Sequence, residues 1–134
     1  MSSDRGISPH VRTGELALER NDSGVAVLTI SGEHDLSTAS NLRRRLDGLL
    51  DEGVPTVLDL SPATFIDSSI LGVILDGRRR AAEANIGFAV ARSNGSDAVD
   101  RVLEVTGLRA ELPVHARRDE AVMAASGNDG KTPP

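Results

Sequence analysis

Cysteine is absent from this chain of 134 residues, and aromatic residues make up only 1% of it. Without cysteine there is no disulfide, thiolate metal site or cysteine nucleophile, and the composition fits a reducing cytoplasm. Two Phe with no Tyr and no Trp leave no aromatic platform for stacking bases or sugars. Basic residues number 15 against 20 acidic ones, so the formal net charge is -5. A nucleic-acid binder has the opposite charge, and we predict no nucleic-acid partner.

Long apolar runs are also missing. No apolar stretch reaches the roughly 18 residues of a membrane span, and the first residues lack the apolar segment of a secretion signal. We therefore predict no membrane contact and a cytoplasmic location. The three histidines, His10, His34 and His115, lie far apart with no second ligand at metal spacing, which predicts no metal site and no cofactor.

The residue pattern predicts an α/β domain. Residues 15–20 and 25–30 follow an extended pattern around a turn signal, which is typical of a β-hairpin. Apolar residues at helical spacing then predict a helix from about Ser37 to Asp51. Asp35 or Ser37 could cap it, but no Glu or Gln follows three residues later to complete a capping box. Further strands are predicted at 56–60, 87–91 and 108–114, and further helices at 68–84, 97–105 and 118–125.

The length of the chain fits one domain. The strand-helix-strand order predicts a mixed β-sheet of about four to five strands with amphipathic helices packed against it. Residues 31–35 break the extended pattern and are predicted to form a loop. Residues 1–13 are predicted to be a flexible arm, 14–125 the domain, and 126–134 a disordered tail.

The stretch 64–75 follows the apolar run 57–60, which is predicted to be a buried strand, and opens a predicted helix, so it forms a strand-to-helix corner. Asp67, Ser68 and Ser69 are short polar residues of the kind that bond the free N–H groups at a helix start. Steps of 100° place Ser68, Gly72 and Asp76 on the solvent side, with Gly72 removing side-chain bulk beside Ser68. The core face is predicted to contain Ile70, Val73, Ile74, Ala81 and Ala84, widened by Leu71, Leu75 and Ala82.

Two segments of the chain resemble a known family. The order Phe-Ile-Asp-Ser-Ser-x-Leu-Gly-Val-Ile-Leu at 65–75 resembles the signature of the STAS domain, in particular the stand-alone anti-sigma factor antagonists of bacteria. Gly-Glu-His-Asp at 32–35 resembles the Gly-Glu-x-Asp loop of antagonist-type STAS domains. The resemblance covers roughly residues 15–125 and implies the STAS fold. One residue departs from it: the family usually has glycine where this chain has Ile70.

The resemblance implies a binding protein, not an enzyme. In the family, the serine directly after the aspartate is phosphorylated by a partner kinase that is also the anti-sigma factor, which implies Ser68, with Ser69 as the alternative. The implied partners are an anti-sigma factor with a histidine-kinase-like ATPase fold and a metal-dependent serine phosphatase. The helix N-terminus should tolerate a phosphate, so its effect would be a local change of charge on the docking surface. The residues expected to bind the partner are Glu33, Asp35, Asp67, Ser68, Ser69, Gly72 and Asp76.

Other interpretations of the same residues stay open. Asp-Ser-Ser before an apolar run is also a common helix cap, and Glu33 and Asp35 fit a solvated turn as well as a docking site. His34 is predicted to be a surface residue. A STAS module with another partner, of the stressosome or lipid-transport type, is an alternative function. A serine hydrolase with Ser68 as nucleophile and His34 or His115 as base is a weaker one, because the chain lacks a Gly-x-Ser-x-Gly elbow.

Overall fold

The computed structural model describes residues 14–92, 97–107, 112 and 114–127. The strands and helices in chain order are β1 (Glu15–Arg20), β2 (Ala26–His34), α1 (Leu36–Asp51), β3 (Thr56–Asp59), β4 (Ala63–Ile66), α2 (Ser68–Glu83), β5 (Phe88–Ala91), α3 (Asp97–Val105), β6 (Val114–His115) and α4 (Arg118–Ser126). The predicted arm 1–13 and residues 128–134 of the predicted tail lie outside the described residues, as does most of the predicted strand 108–114. Ser126, where the tail was predicted to begin, is the last residue of α4.

The described strands form one mixed sheet. Its order is β1-β2-β3-β5-β6, and β4 pairs with β2 off this path. Only the β1–β2 hairpin is antiparallel; the other pairings among the described strands are parallel. Parallel neighbours require a crossover connection, and α1, α2 and α3 supply it. The predicted single α/β domain with a mixed sheet is confirmed, and β4 is the strand that was not predicted.

Helices cover both faces of the sheet. Gly87, just before β5, lies where α4 approaches most closely: a Cβ at this position would overlap the carbonyl oxygen of Ala125, so the contact requires glycine. Neighbouring residues of β2, β3 and β5 form two rows, one on each face of the sheet. One row packs in the core shared with α1, α2 and α3 and contains Leu28, Leu58 and Val90. The other packs in the core shared with α4 and contains Val27, Val57 and Ala89.

Strand β2 is longer than predicted. It continues to His34, so the prediction of a loop at 31–35 is wrong for all but the last residue. The backbone N–H of Gly32 donates to the carbonyl oxygen of Pro62 at 3.1 Å, and the ladder to β4 shifts register between Gly32 and Glu33. Gly32 has a φ of 81°, which favours glycine at such an irregularity. The polar residues at the end of β2 are compatible with a strand because β4 pairs with their backbone groups and not with their side chains.

Helices α1 and α2 lie side by side and begin at the same edge of the sheet. Ion pairs join them on the outer surface: Arg43 Nη1 lies 2.8 Å from Asp76 Oδ2, and Arg80 pairs with Asp47 and with Asp51. Exposed pairs of this kind contribute little to the stability of a fold.

The predicted core face of α2 is correct except near its end. Ile70, Val73, Ile74 and Ala81 are buried. Ala82 and Ala84 are exposed, so their assignment to the core face is wrong. Ala84 is the C-cap residue, with a backbone outside the helical region, and steps of 100° no longer describe its direction.

Candidate functional site

Two parallel strands, β2 and β4, end side by side at one edge of the sheet, with their last residues as register partners. The next residue in each segment is an aspartate that caps a helix: Asp35 begins α1 and Asp67 begins α2. We call this edge, residues 33–38 and 65–70, the twin-cap edge. This edge brings together the two segments whose sequences resemble the STAS family. Asp35 and Asp67, both predicted to bind the partner, are therefore at the same edge of the sheet.

Asp67 is the N-cap of α2, as predicted. Its Oδ1 accepts hydrogen bonds from the backbone N–H groups of Ser69 at 3.0 Å and Ile70 at 3.2 Å. The same oxygen accepts the hydroxyl hydrogen of Ser69 at 2.5 Å. These bonds satisfy two of the free donors of the first turn and engage the Ser69 hydroxyl.

Asp35 caps α1 in the same way. Its Oδ1 accepts the backbone N–H of Ser37 at 2.9 Å and the Ser37 hydroxyl at 2.6 Å. Thr38 completes a capping box, because its hydroxyl oxygen accepts the backbone N–H of Asp35 at 3.2 Å. The prediction that this helix has no capping box is therefore wrong: Thr replaces the usual Glu or Gln.

The pKa of the Asp35 carboxyl lies below its ordinary value, chiefly because of the Ser37 hydroxyl and then the Ser37 N–H. A lowered folded-state pKa stabilises the fold above the unfolded-state pKa, about 3.9 for Asp, and this stabilisation is lost as the pH falls through the folded-state pKa. We expect a carboxyl-carbon NMR titration of Asp35 to have its midpoint below that of an unstructured Asp. In Ser37→Ala the midpoint should rise, and an ordinary midpoint in the wild-type protein would contradict the cap geometry.

Ser68, the first residue of α2, differs from its neighbour Ser69. It is exposed, and within the part of the chain that the structure describes its hydroxyl has no hydrogen-bond partner. Gly72, one turn further on, is also exposed, and a Cβ built there would meet no atom within 4 Å. The surface beside Ser68 is therefore open to the close approach of another backbone.

Two other predicted binding residues differ in their surroundings. Glu33 is exposed at the end of β2, where it pairs with Phe65 of β4. Asp76 lies two turns beyond Ser68 along α2 and forms ion pairs with Arg43 at 2.8 Å and Arg79 at 3.6 Å. The hydrogen bond from Arg43 lowers the pKa of Asp76. Asp76 thus lies outside the twin-cap edge, and cations of the same chain surround its charge.

His34 is buried, and the prediction that it lies on the surface is wrong. Its relative exposure is 0%, and its Nε2 lies 3.0 Å from the carbonyl oxygen of Ser31. Since a carbonyl only accepts, Nε2 donates the hydrogen, and Nδ1 contacts the Thr38 hydroxyl at 3.0 Å. His34 therefore holds the turn between β2 and α1. Among the described residues, neither His34 nor His115 is hydrogen-bonded to Ser68.

Two exposed apolar residues at the twin-cap edge were not predicted as site residues. Leu36 is 75% exposed and Phe65 is 41% exposed. Leu36 appears in the sequence as the first apolar residue of the α1 pattern, which favours a core position. It is nevertheless exposed because it is the first residue of the helix, beyond the end of β2.

Comparison with known proteins adds to this geometry. Residues 17–114 match the family described as "Mlab, STAS domain". The chain belongs to the STAS domain family. The predicted membership of the STAS family is confirmed.

Named relatives of this STAS domain are antagonists of anti-sigma factors. The chain is 26% identical over 105 residues to the anti-sigma-B factor antagonist of Bacillus subtilis (strain 168), covering 78% of this chain and 94% of that protein. It is 28% identical to an anti-sigma factor antagonist from Mycobacterium paratuberculosis, with a TM-score of 0.74 over 84% of this chain and 94% of that one. The Bacillus cell fate determinant SpoIIAA in its phosphorylated form shares the fold, with 22% identity and a TM-score of 0.63 over 81% of this chain and 96% of that one.

These relatives agree with the prediction that the STAS domain is a binding protein and not an enzyme. Within residues 14–92, 97–107, 112 and 114–127, no helix has the length and hydropathy required to cross a membrane. The same described residues contain no cluster of three or more His, Cys, Asp or Glu side chains suited to a metal ion.

Proposed function

We propose that this STAS domain is an anti-sigma factor antagonist whose binding is ended by phosphorylation of Ser68. When Ser68 is unphosphorylated, the twin-cap edge binds an anti-sigma factor that has a histidine-kinase-like ATPase fold, and the sigma factor is released. The observation that supports this most directly is the exposed hydroxyl of Ser68, which directly follows the cap Asp67 and has no hydrogen-bond partner among the described residues. The relatives named as antagonists of anti-sigma factors support the general role.

The difference between the two serines favours Ser68 as the phosphorylated residue. The Ser69 hydroxyl donates to Asp67 at 2.5 Å, so its phosphorylation would remove this bond and place a phosphate against the Asp67 carboxylate. The cap of α2 uses Asp67, Ser69 and Ile70, and a phosphate on Ser68 leaves these bonds in place. A phosphate at the first residue of a helix also interacts favourably with the helix dipole. Phosphorylation is therefore expected to change the surface without unfolding the domain.

The phosphate would act through charge. It adds about -1.5 to -2 charges at neutral pH, next to the carboxylates of Asp67 and Asp35 and near Glu33. Like charges brought together in an interface cost several kcal/mol. A partner surface that faces this edge with acidic or closely packed groups would be released.

The chemistry requires the partner as catalyst. The Ser68 hydroxyl oxygen attacks the γ-phosphorus of ATP, a P–O bond to Ser68 forms, the bond to ADP breaks, and the hydroxyl proton passes to a base of the kinase. A metal-dependent serine phosphatase reverses the state by adding water across the phosphoester, which releases inorganic phosphate and restores the hydroxyl.

The test begins with the anti-sigma factors of the source organism that contain a histidine-kinase-like ATPase domain, purified one at a time. Each is incubated with the chain and ATP, and the phosphate is located by mass spectrometry. We expect one phosphate per chain on Ser68, none in Ser68→Ala, and continued modification in Ser69→Ala. Modification of Ser69 alone would contradict the assignment. No modification and no binding by any of these proteins would contradict the function and favour a STAS module with another partner.

A further inference from the structure

The two caps of the twin-cap edge are built alike, residue by residue. In each, Oδ1 of the aspartate accepts the N–H and the hydroxyl of the serine two residues later: Ser37 for Asp35, and Ser69 for Asp67. The residue between the aspartate and that serine is the first of the helix. This residue is Leu36 in α1 and Ser68 in α2.

The strand register places these two first residues near each other. The last residues of β2 and β4 are Cα partners in a parallel pair, and each helix begins after one further residue. Neighbouring parallel strands are roughly 5 Å apart. Leu36 and Ser68 are therefore equivalent positions at the starts of adjacent helices, within reach of one protein that docks on this edge.

We infer that Leu36 is an apolar anchor of the docking surface, inserted into a depression on the same anti-sigma factor that modifies Ser68. The inference rests on the proposed function and adds a binding residue to it. Leu36 is 75% exposed, so its removal costs the core little. An exposed leucine by itself is ordinary; what distinguishes this one is that it follows the cap Asp35 at the helix position equivalent to that of Ser68.

The surroundings define the partner surface that fits. Asp35 and Asp67 each use Oδ1 for the cap, and within the described part of the chain Oδ2 of each has no hydrogen-bond partner. Glu33 is exposed at the same edge, next to the partly exposed ring of Phe65. An apolar centre with an acidic rim is complementary to an apolar depression bordered by Arg or Lys side chains. The occupant is therefore expected to have basic side chains around the depression that receives Leu36, facing Glu33 and Asp35, and an acidic or closely packed group opposite Ser68.

The test measures binding of the purified anti-sigma factor that binds the wild-type chain, by isothermal titration without ATP. Leu36→Ala is expected to raise Kd by roughly 10- to 100-fold, as for the loss of most of a buried leucine side chain. Leu36→Met, which keeps an apolar side chain of similar volume, should stay within roughly threefold of the wild type. Val105→Ala is the matched control, because Val105 is 78% exposed but lies at the end of α3; its Kd should not change.

The outcomes separate the anchor from the function. If Leu36→Ala binds as tightly as the wild type while Ser68→Asp binds weakly, the anchor is wrong and the proposed function stands. If neither substitution changes Kd, or if no anti-sigma factor binds the wild-type chain, both are wrong. A thermal unfolding curve of Leu36→Ala that overlays that of the wild type would exclude loss of structure as the cause of weak binding.

Discussion

Ser68→Asp is expected to bind the anti-sigma factor at least tenfold more weakly than the unphosphorylated wild type. The phosphorylated wild-type chain is expected to bind it more weakly by roughly a hundredfold or more. The substituted carboxylate adds one negative charge and the phosphate adds up to two, at a position next to Asp67 and at the same edge of the sheet as Asp35. Ser68→Ala removes the acceptor hydroxyl but adds no charge. It should bind like the unphosphorylated wild type and remain bound when ATP is present, whereas the wild-type complex dissociates.

The measurement is a titration of each variant against the purified anti-sigma factor, with and without ATP. Ser23→Asp is the matched control: it makes the same chemical change at another exposed serine, in the turn before β2 and thus at the opposite end of that strand from the twin-cap edge. Its Kd should equal that of the wild type. Equal affinities of Ser68→Asp and Ser68→Ala would show that the charge at this position does not control binding.

Loss of folding is not expected to produce this result. Ser68 is the first residue of α2, and a carboxylate in the first turn of a helix is favourable by about 0.3–1 kcal/mol. The thermal midpoint of Ser68→Asp should therefore equal or slightly exceed that of the wild type. A weaker complex with an unchanged midpoint excludes loss of folding as the cause.

Local patterns in the sequence predict α2 and its cap well. The 100° periodicity places Ile70 in the core and Ser68 and Gly72 on the surface, and the structure agrees. The short polar side chain of Asp67 directly before an apolar run predicts its role as cap, also correctly. These features depend on residues within one or two turns of each other, so a single sequence contains the necessary information.

Features that depend on distant residues were missed. Strand β4 has no clear alternation, with its two middle residues exposed and its ends buried, and it exists because β2 provides a parallel neighbour. His34 is buried for the same reason, since the strand end that contains it pairs with β4. The ion pair between Asp76 and Arg43, which joins residues 33 positions apart, was also not predicted. The pairing of β2 with β4 and the ion pair between Arg43 and Asp76 both join residues that are far apart in the sequence, so a local pattern does not predict them.

Leu36 shows a different limit of sequence patterns. An apolar residue at the start of a helical period favours the core, and the sequence alone does not say where the helix begins relative to the end of the sheet. The capping box formed by Asp35 and Thr38 fixes that start and leaves Leu36 outside the core. The conflict between local pattern and actual exposure is what identifies Leu36 as a candidate binding residue.

Ile70 stands where the STAS family usually has glycine, and the second large expected effect is the loss of stability when it is replaced. Ile70→Gly, which introduces the usual family residue, is expected to destabilise this chain by about 4–6 kcal/mol, about 3–5 for the lost buried side chain and about 1 for glycine inside a helix. Ile70 is 0% exposed and belongs to the larger core. Since small domains are stable by about 5–15 kcal/mol, a large fraction of the variant should be unfolded in mild urea. Equilibrium unfolding in urea measures the difference.

Ile70→Val is the matched control, with an expected cost of about 0.5–1.5 kcal/mol, because it removes one methylene and keeps a β-branched side chain. Both variants retain the backbone N–H that donates to Asp67 at 3.2 Å, so the cap should persist in the folded fraction. A loss of less than 1 kcal/mol in Ile70→Gly would mean that the core closes over the site without this side chain. If the expected loss is found, Ile70 contributes to core packing beneath the twin-cap edge. Ile70→Val should then be phosphorylated on Ser68 at the wild-type rate.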